Sequence, residues 1–185
     1  MGFLIFLGLL VLVGLWAMST YNGLVKLRTM VEEGWSGIET QLKRRANLIP
    51  NLVETVKGYA THEKSAFEEV TRMRTQAMAG GSVSERAASE SMLTKAIGGI
   101  MAVAEAYPDL KASENFQALQ GDLAETEDEI QMSRRYYNGT VRNLNIKVES
   151  FPSNLIANMF NFIKAEFFEI ENEEDRAVPK VDFGG

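Results

Sequence analysis

Residues 3–18 read FLIFLGLLVLVGLWAM, and the first charged side chain in the chain is Lys26. At about 1.5 Å of rise per residue, an uncharged helix of this length and its flanks crosses the roughly 30 Å hydrocarbon core of a bilayer. Residues 1–21 are therefore expected to form a transmembrane anchor. Trp16 and Tyr21 stand at its end, where amphipathic rings favour the headgroup level, and are the candidate membrane-interface residues. A cleaved signal peptide is the competing reading, since Ala17-Met18-Ser19 offers small residues. It lacks the basic leading segment, and the helical pattern continues past it without a break.

Beyond Tyr21 two rows recur every seven positions. One is Leu24, Val31, Ile38, Arg45, Leu52, Tyr59, Ala66, Met73; the other is Arg28, Trp35, Leu42, Ile49, Val56, Glu63, Val70, Ala77. This repeat is the coiled-coil mark of helix-on-helix packing. It keeps phase through Ile49-Pro50, which favours one long helix over residues 22–78, kinked at Pro50, over a break there. Arg28, Arg45 and Glu63 interrupt the rows. Either their stems run past the apolar seam into water, or they pair with Glu127 or Arg134 and set the register.

Ala79-Gly80-Gly81-Ser82 ends that helix, and Ser82 with Glu85 has the spacing of a capping box. A second helix follows at about 84–106, with Leu93, Ala96, Ile97, Ile100, Val103 and Ala104 inward and Gly98-Gly99 offering a close helix contact. Tyr107-Pro108 interrupts it. Residues 114–149 carry a third helix with the row Phe116, Leu123, Ile130, Tyr137, Leu144, Phe151. After the turn at Phe151-Pro152, a fourth is expected over 154–172. Its apolar arc is wider than one stripe. Either it lies deep in the bundle, or Phe160 and Phe168 face another chain or a lipid surface as a partner site. Seven acidic against three basic residues from 150 to 185 favour a protein there over anionic lipid. The fold class is thus all-α: a transmembrane helix running into the long kinked helix of a four-helix bundle over residues 22–176, with a tail at 177–185.

The helix lengths imply partners. Residues 22–78 span roughly 85 Å and the second helix returns about 33 Å. Val31, Trp35, Ile38 and Leu42 then lack intrachain cover, and each large side chain left in water costs roughly 1.5–3 kcal/mol. They are the expected interface of a homo-oligomer.

The remaining composition excludes more than it suggests. The chain has no cysteine and a net charge of −6, against thiol chemistry, Cys-bound zinc and a nucleic-acid partner. His62 is the only histidine, so neither a metalloprotease pair nor a di-iron bundle can be assembled, and it reads as a solvated residue. The glycine pairs lack the ending of a phosphate loop. Lys57 or Glu63 as a base is a weaker reading than exposed helix charge. No catalytic residue, metal or cofactor is expected. Between residues 22 and 45 five basic residues face three acidic ones, which places the bundle in the cytoplasm and the N-terminus outside.

Tyr21-Asn22, Trp35, Gln41-Leu42-Lys43-Arg44-Arg45, Leu48-Ile49-Pro50-Asn51-Leu52-Val53, Val56-Lys57-Gly58-Tyr59, His62-Glu63, Tyr107-Pro108-Asp109-Leu110-Lys111-Ala112, Tyr137-Asn138, Phe151-Pro152-Ser153-Asn154-Leu155-Ile156-Ala157 and Val178-Pro179-Lys180-Val181-Asp182-Phe183 together resemble the LemA family of bacterial membrane proteins. The resemblance implies an N-terminal anchor of the inner membrane, an outward N-terminus and a cytoplasmic four-helix bundle. It implies no enzymatic activity and no catalytic residues. Relatives in magnetosome membranes suggest membrane organisation by analogy. The expected function is a self-assembling membrane scaffold; the alternative is an accessory module that regulates a membrane protease or transporter.

Overall fold

The computed structural model describes residues 1–169, so the expected tail at 177–185 and the last three residues of the expected fourth helix lie outside the described residues. Among the described residues the chain is all-helical with no strand. The elements are α1 (Gly2–Lys57), α2 (Lys64–Met78), α3 (Val83–Glu105), α4 (Pro108–Lys111), α5 (Glu114–Glu149) and α6 (Ser153–Met159).

The first helix carries Pro50 in its interior without ending there. It ends instead at Lys57, and a turn over residues 58–63 separates it from α2, so the helix expected over 22–78 is two. Gly58 weakens the helix by about 1 kcal/mol relative to alanine. The Tyr59 and Ala60 N–H groups both donate to the Val56 carbonyl, at 3.0 and 2.9 Å, closing the last turn. The seven-residue row fails at the same place: Leu24, Val31, Ile38, Arg45 and Leu52 are buried, whereas Tyr59 is exposed.

The chain divides into two compact units. Unit 1 comprises Met1–Leu48 with Gln120–Phe167. In it α5 runs antiparallel to α1, since Arg45 meets Glu127 while Gly34 meets Tyr137 and Gly23 meets Lys147. At Gly34 a Cβ would lie 3.2 Å from Tyr137 Cα, so glycine lets the two helices approach closely without displacing either backbone. Val31, Ile38 and Leu42 are buried here, and Trp35 is half-buried with its ring 5.6 Å from that of Tyr137. The seam expected to lie open for other copies is therefore covered by the chain itself. The length estimate fails because α1 stops at Lys57 and α5 returns along it as far as Gly23.

Unit 2 comprises Ile49–Leu119 with Phe168 and Glu169. Its core includes Leu52, Val56, Phe67, Val70, Leu93, Ile100 and Leu110, with α2 packed on α3. The turn before α3 follows the sequence reading. Gly80 and Gly81 adopt φ of 80° and 133°, and Ser82 and Glu85 form the reciprocal capping box. Burial on α3 is narrower than expected: Ala96, Ile97 and Val103 are only half-buried. Gly98 and Gly99 face open space rather than another helix. The residues after Pro108 form a short helical turn, with Tyr107 extended before it.

The expected fourth helix is seven residues long. Asn161 takes the left-handed φ of 55°, a conformation asparagine tolerates better than most residues. The Phe162 N–H donates to the Ala157 carbonyl at 2.9 Å and the Asn161 N–H to the Asn158 carbonyl at 3.4 Å. That is the hydrogen-bond pattern of a Schellman stop with Asn in place of Gly. Residues 162–169 then continue without helix as a strap.

Candidate functional site

Three features of the described residues bear on function. The first is the membrane-proximal end of unit 1. The side chains of residues 1–16 are all exposed, and α1 is the one helix among the described residues long and apolar enough to cross a membrane. Trp16 is 39% exposed and Tyr21 36%. The ring of Tyr21 meets Phe160 at 4.8 Å and Phe162 at 5.7 Å, both edge-on. The Arg28 guanidinium lies 5.3 Å from the Phe162 ring centroid, where the negative ring face attracts it. Arg28 thus leaves the seam, is exposed, and lies 3.9 Å from Glu32 on its own helix.

The strap is fastened by side chains that substitute for a neighbouring strand. The Asn145 side-chain amide donates to the Ala165 carbonyl at 3.0 Å and its oxygen accepts from the Ala165 N–H at 2.9 Å. The Tyr137 hydroxyl donates to the Glu166 carbonyl at 2.8 Å. Burial and the nearby Glu166 charge both raise the Tyr137 pKa above its usual value, keeping the hydroxyl protonated and able to donate. The turn into α6 is satisfied in the same way. Ser153 is buried, and its hydroxyl reaches the carbonyls of Lys147 and Ser150 at the open end of α5.

This geometry corrects the expected partner surface. Phe160 is 52% exposed, but Phe168 is 1% exposed and belongs to the core. The two would share a face only on a helix, and the helix stops before either. Phe151, expected to be the last member of the α5 row, is 80% exposed.

The second feature is a polar clamp within unit 1. Arg45 is buried and donates to Glu127 at 2.7 Å. Gln131 donates to the other Glu127 oxygen at 2.8 Å, and Arg134 donates to Gln131 at 3.2 Å. Partial burial lowers the Arg134 pKa, a shift opposed by Glu127 and reinforced by Arg45. The pairing of Arg45 with Glu127 follows the register-setting reading of the seam arginine. Glu63, the third seam charge, instead precedes α2 and makes no side-chain cap bond.

The third feature is a cleft of about 680 Å³ within unit 2, lined by Lys57, Thr61, Lys64, Phe67, Glu68, Thr71, Arg72 and Thr75. Lys57 lies 5.6 Å from the Phe67 ring centroid and Arg72 pairs with Glu69 at 2.6 Å. His62 is exposed on the adjoining turn. Among the described residues no three His, Asp or Glu side chains gather as they would to hold a metal ion.

An apolar helix of spanning length that runs into the core of a helical unit defines a membrane-associated, all-helical protein. The profile of the LemA family matches residues 34–183, and the chain belongs to that family. It is 26% identical over 175 residues to magnetosome protein MamQ 2 of Paramagnetospirillum magneticum, a match covering 80% of this chain and 64% of that protein. Magnetosome protein MamQ of Magnetospirillum gryphiswaldense matches at 22% over 174 residues, with the same coverage. Protein LemA of Metamycoplasma hominis is 24% identical over 155 residues, covering 83% of this chain and 70% of that protein. The chain thus spans 64% of the length of the magnetosome relatives.

Proposed function

We propose that the protein is a non-catalytic scaffold anchored in a bacterial inner membrane, with its N-terminus outside and its folded helices in the cytoplasm, which self-assembles and organises or shapes the membrane or recruits partners. One observation carries this reading: the exposed apolar segment and the buried row Leu24, Val31 and Ile38 belong to one uninterrupted helix. A helix without a joint hands the attitude of the anchor directly to the folded part, as a scaffold requires. The basic excess between residues 22 and 45 supports the orientation. Self-assembly in this reading uses surfaces left open in unit 1, such as Met132 and Tyr136 beside Gly37, because Val31, Ile38 and Leu42 are internal.

The test is the mass of the full-length protein purified alone in mild detergent, followed by imaging of vesicles that carry it. A defined oligomer that makes vesicles uniform in size supports a scaffold. A monomer that leaves vesicles unaltered overturns it and favours the second reading, an accessory module regulating a membrane protease or transporter. The basic, hydroxyl-lined cleft of unit 2 is the observation that favours that second reading.

A further inference from the structure

Among the described residues of unit 1, exposed apolar side chains outside the anchor gather in the segment that joins α5 to the strap. Phe151 is 80% exposed, Leu155 55%, Met159 71%, Phe160 52% and Ile163 80%. No residue from Ser150 to Ile163 is charged. At the two ends of the segment Glu149 and Lys164 neutralise each other across 2.9 Å. The acidic excess of the C-terminal region therefore begins only beyond the segment, at Glu166.

Position says what covers this surface. Phe151, Pro152 and Ser153 line a cleft of about 300 Å³ together with Trp16 and Thr20 of the anchor helix and Asn143 and Lys147 of α5, and Phe160 packs on Tyr21; a lysine at this level keeps its stem against apolar surface and its ammonium among the headgroups. Residues 3–18 supply only about 24 Å of apolar helix, against a hydrocarbon core of roughly 30 Å. Counted from Phe3, the core ends near residue 22, so Trp16 and Tyr21 lie within or at the edge of the bilayer. Whatever sits beside them shares that level.

The segment is also prepared for such a place. A backbone entering lipid must satisfy its polar groups internally. Here α6 is closed by Asn161 and Phe162, Ser153 covers the end of α5, and Asn145 takes both backbone groups of Ala165. The exposed Asn158 and Asn161 are uncharged and suit the headgroup layer rather than the hydrocarbon.

We propose that residues 151–163 form a second membrane contact, an interfacial wedge that buries Phe151, Leu155, Met159, Phe160 and Ile163 in the leaflet from which α1 emerges. The proposal rests on the anchor reading, and it adds that unit 1 is held against the bilayer at two points rather than tethered at one. A lipid-bound wedge beside the span fixes rotation of unit 1 about the helix axis, which a single span leaves free.

The chain has no cysteine, so single-cysteine labelling of the full-length protein is direct. An environment-sensitive fluorophore is placed by Phe151→Cys, Met159→Cys and Ile163→Cys, with Val11→Cys in the span and Asp128→Cys at the far end of unit 1 as references, in phosphatidylcholine vesicles with and without spin-labelled acyl chains. The expected result is a blue shift and loss of emission to the spin labels at 151, 159 and 163, approaching that at 11, with neither at 128. Water-like emission and no lipid quenching at all three positions, with quenching at 11, overturns the wedge and leaves the anchor standing. A blue shift without lipid quenching overturns it in favour of a second copy of the chain covering the segment. Absence of quenching at 11 as well overturns the anchor reading itself. Three separate labelled positions keep the result decisive if one label disturbs the fold.

Discussion

Asn145→Ala removes the fastening of the strap at one point. Asn145 makes two hydrogen bonds to Ala165, one donated at 3.0 Å and one accepted at 2.9 Å. A typical intramolecular hydrogen bond contributes about 0.5–1.5 kcal/mol net, so the loss is about 1–3 kcal/mol of local stability. Amide exchange at Ala165 should accelerate by about 5- to 140-fold where local opening limits it. Asn145→Asp discriminates further. Its ionised carboxylate can still accept from the Ala165 N–H but can no longer donate, and it faces the Ala165 carbonyl oxygen. Near neutral pH it should expose Ala165 at least as much as alanine does. Below the usual aspartate pKa of about 3.9 the protonated acid regains a donor, and protection should partly return. Exchange at Ala165 is followed by NMR in detergent, with the α3 amides as an internal control for global unfolding. Unchanged exchange in Asn145→Ala would refute the claim that side chains, rather than packing of Phe162, hold the strap in place.

Three further outcomes follow from the same structure. Ile38→Ala should cost about 2–5 kcal/mol in thermal or denaturant unfolding without altering the mass in detergent, because Ile38 lies in the intrachain core; a fall in mass with unaltered stability would restore the intermolecular seam. Glu127→Ala should cost about 1.5–3 kcal/mol, the range for a hydrogen bond to a charged group, and adding Arg45→Met should recover part of it; a double-mutant cycle with no coupling would remove the clamp from the account. Hydrogen bonds from the Ser82 backbone, then its hydroxyl, hold the Glu85 carboxyl below its usual pKa. The stabilisation of the α3 start is therefore present above the usual glutamate value and lost as pH falls through the lowered one. Ser82→Ala should move the NMR titration midpoint of Glu85 upward, and an unmoved midpoint sinks the explanation.

Legibility in the sequence tracked the range of the interaction. Residues 114–149 and the capping box at Ser82 and Glu85 were readable because caps and breakers act within one helical turn. The seam position of Arg45 was readable because the seven-residue row placed a charge among buried neighbours, and charges there need a partner. The break at Gly58 was missed because the repeat runs in phase across it, and a glycine weighs only about 1 kcal/mol against that periodicity. Its signals were present in Gly58 and in the polar stretch Thr61-His62-Glu63. The strap is not legible because Phe160, Phe162, Ile163, Phe167 and Phe168 supply the apolar side chains that the face of a buried helix would carry. Asn161, two residues beyond Met159, was the local mark of the stop.

The sequence by itself determined that the chain is all-helical, that its first helix begins with a segment able to cross a bilayer, and which family it joins. Hydropathy, periodicity and capping are properties of neighbouring residues and survive without a fold. Only the tertiary structure decided that the seam of Val31, Ile38 and Leu42 is covered from within, and that Phe168 is core while Phe151 stands open. It alone showed that an asparagine and a tyrosine on α5 replace a helix with a strap. Those outcomes depend on pairs from about twenty to about a hundred and forty residues apart, whose meeting is set by where the chain reverses. A single turn at residues 58–63 ended the long helix on which the length estimate rested.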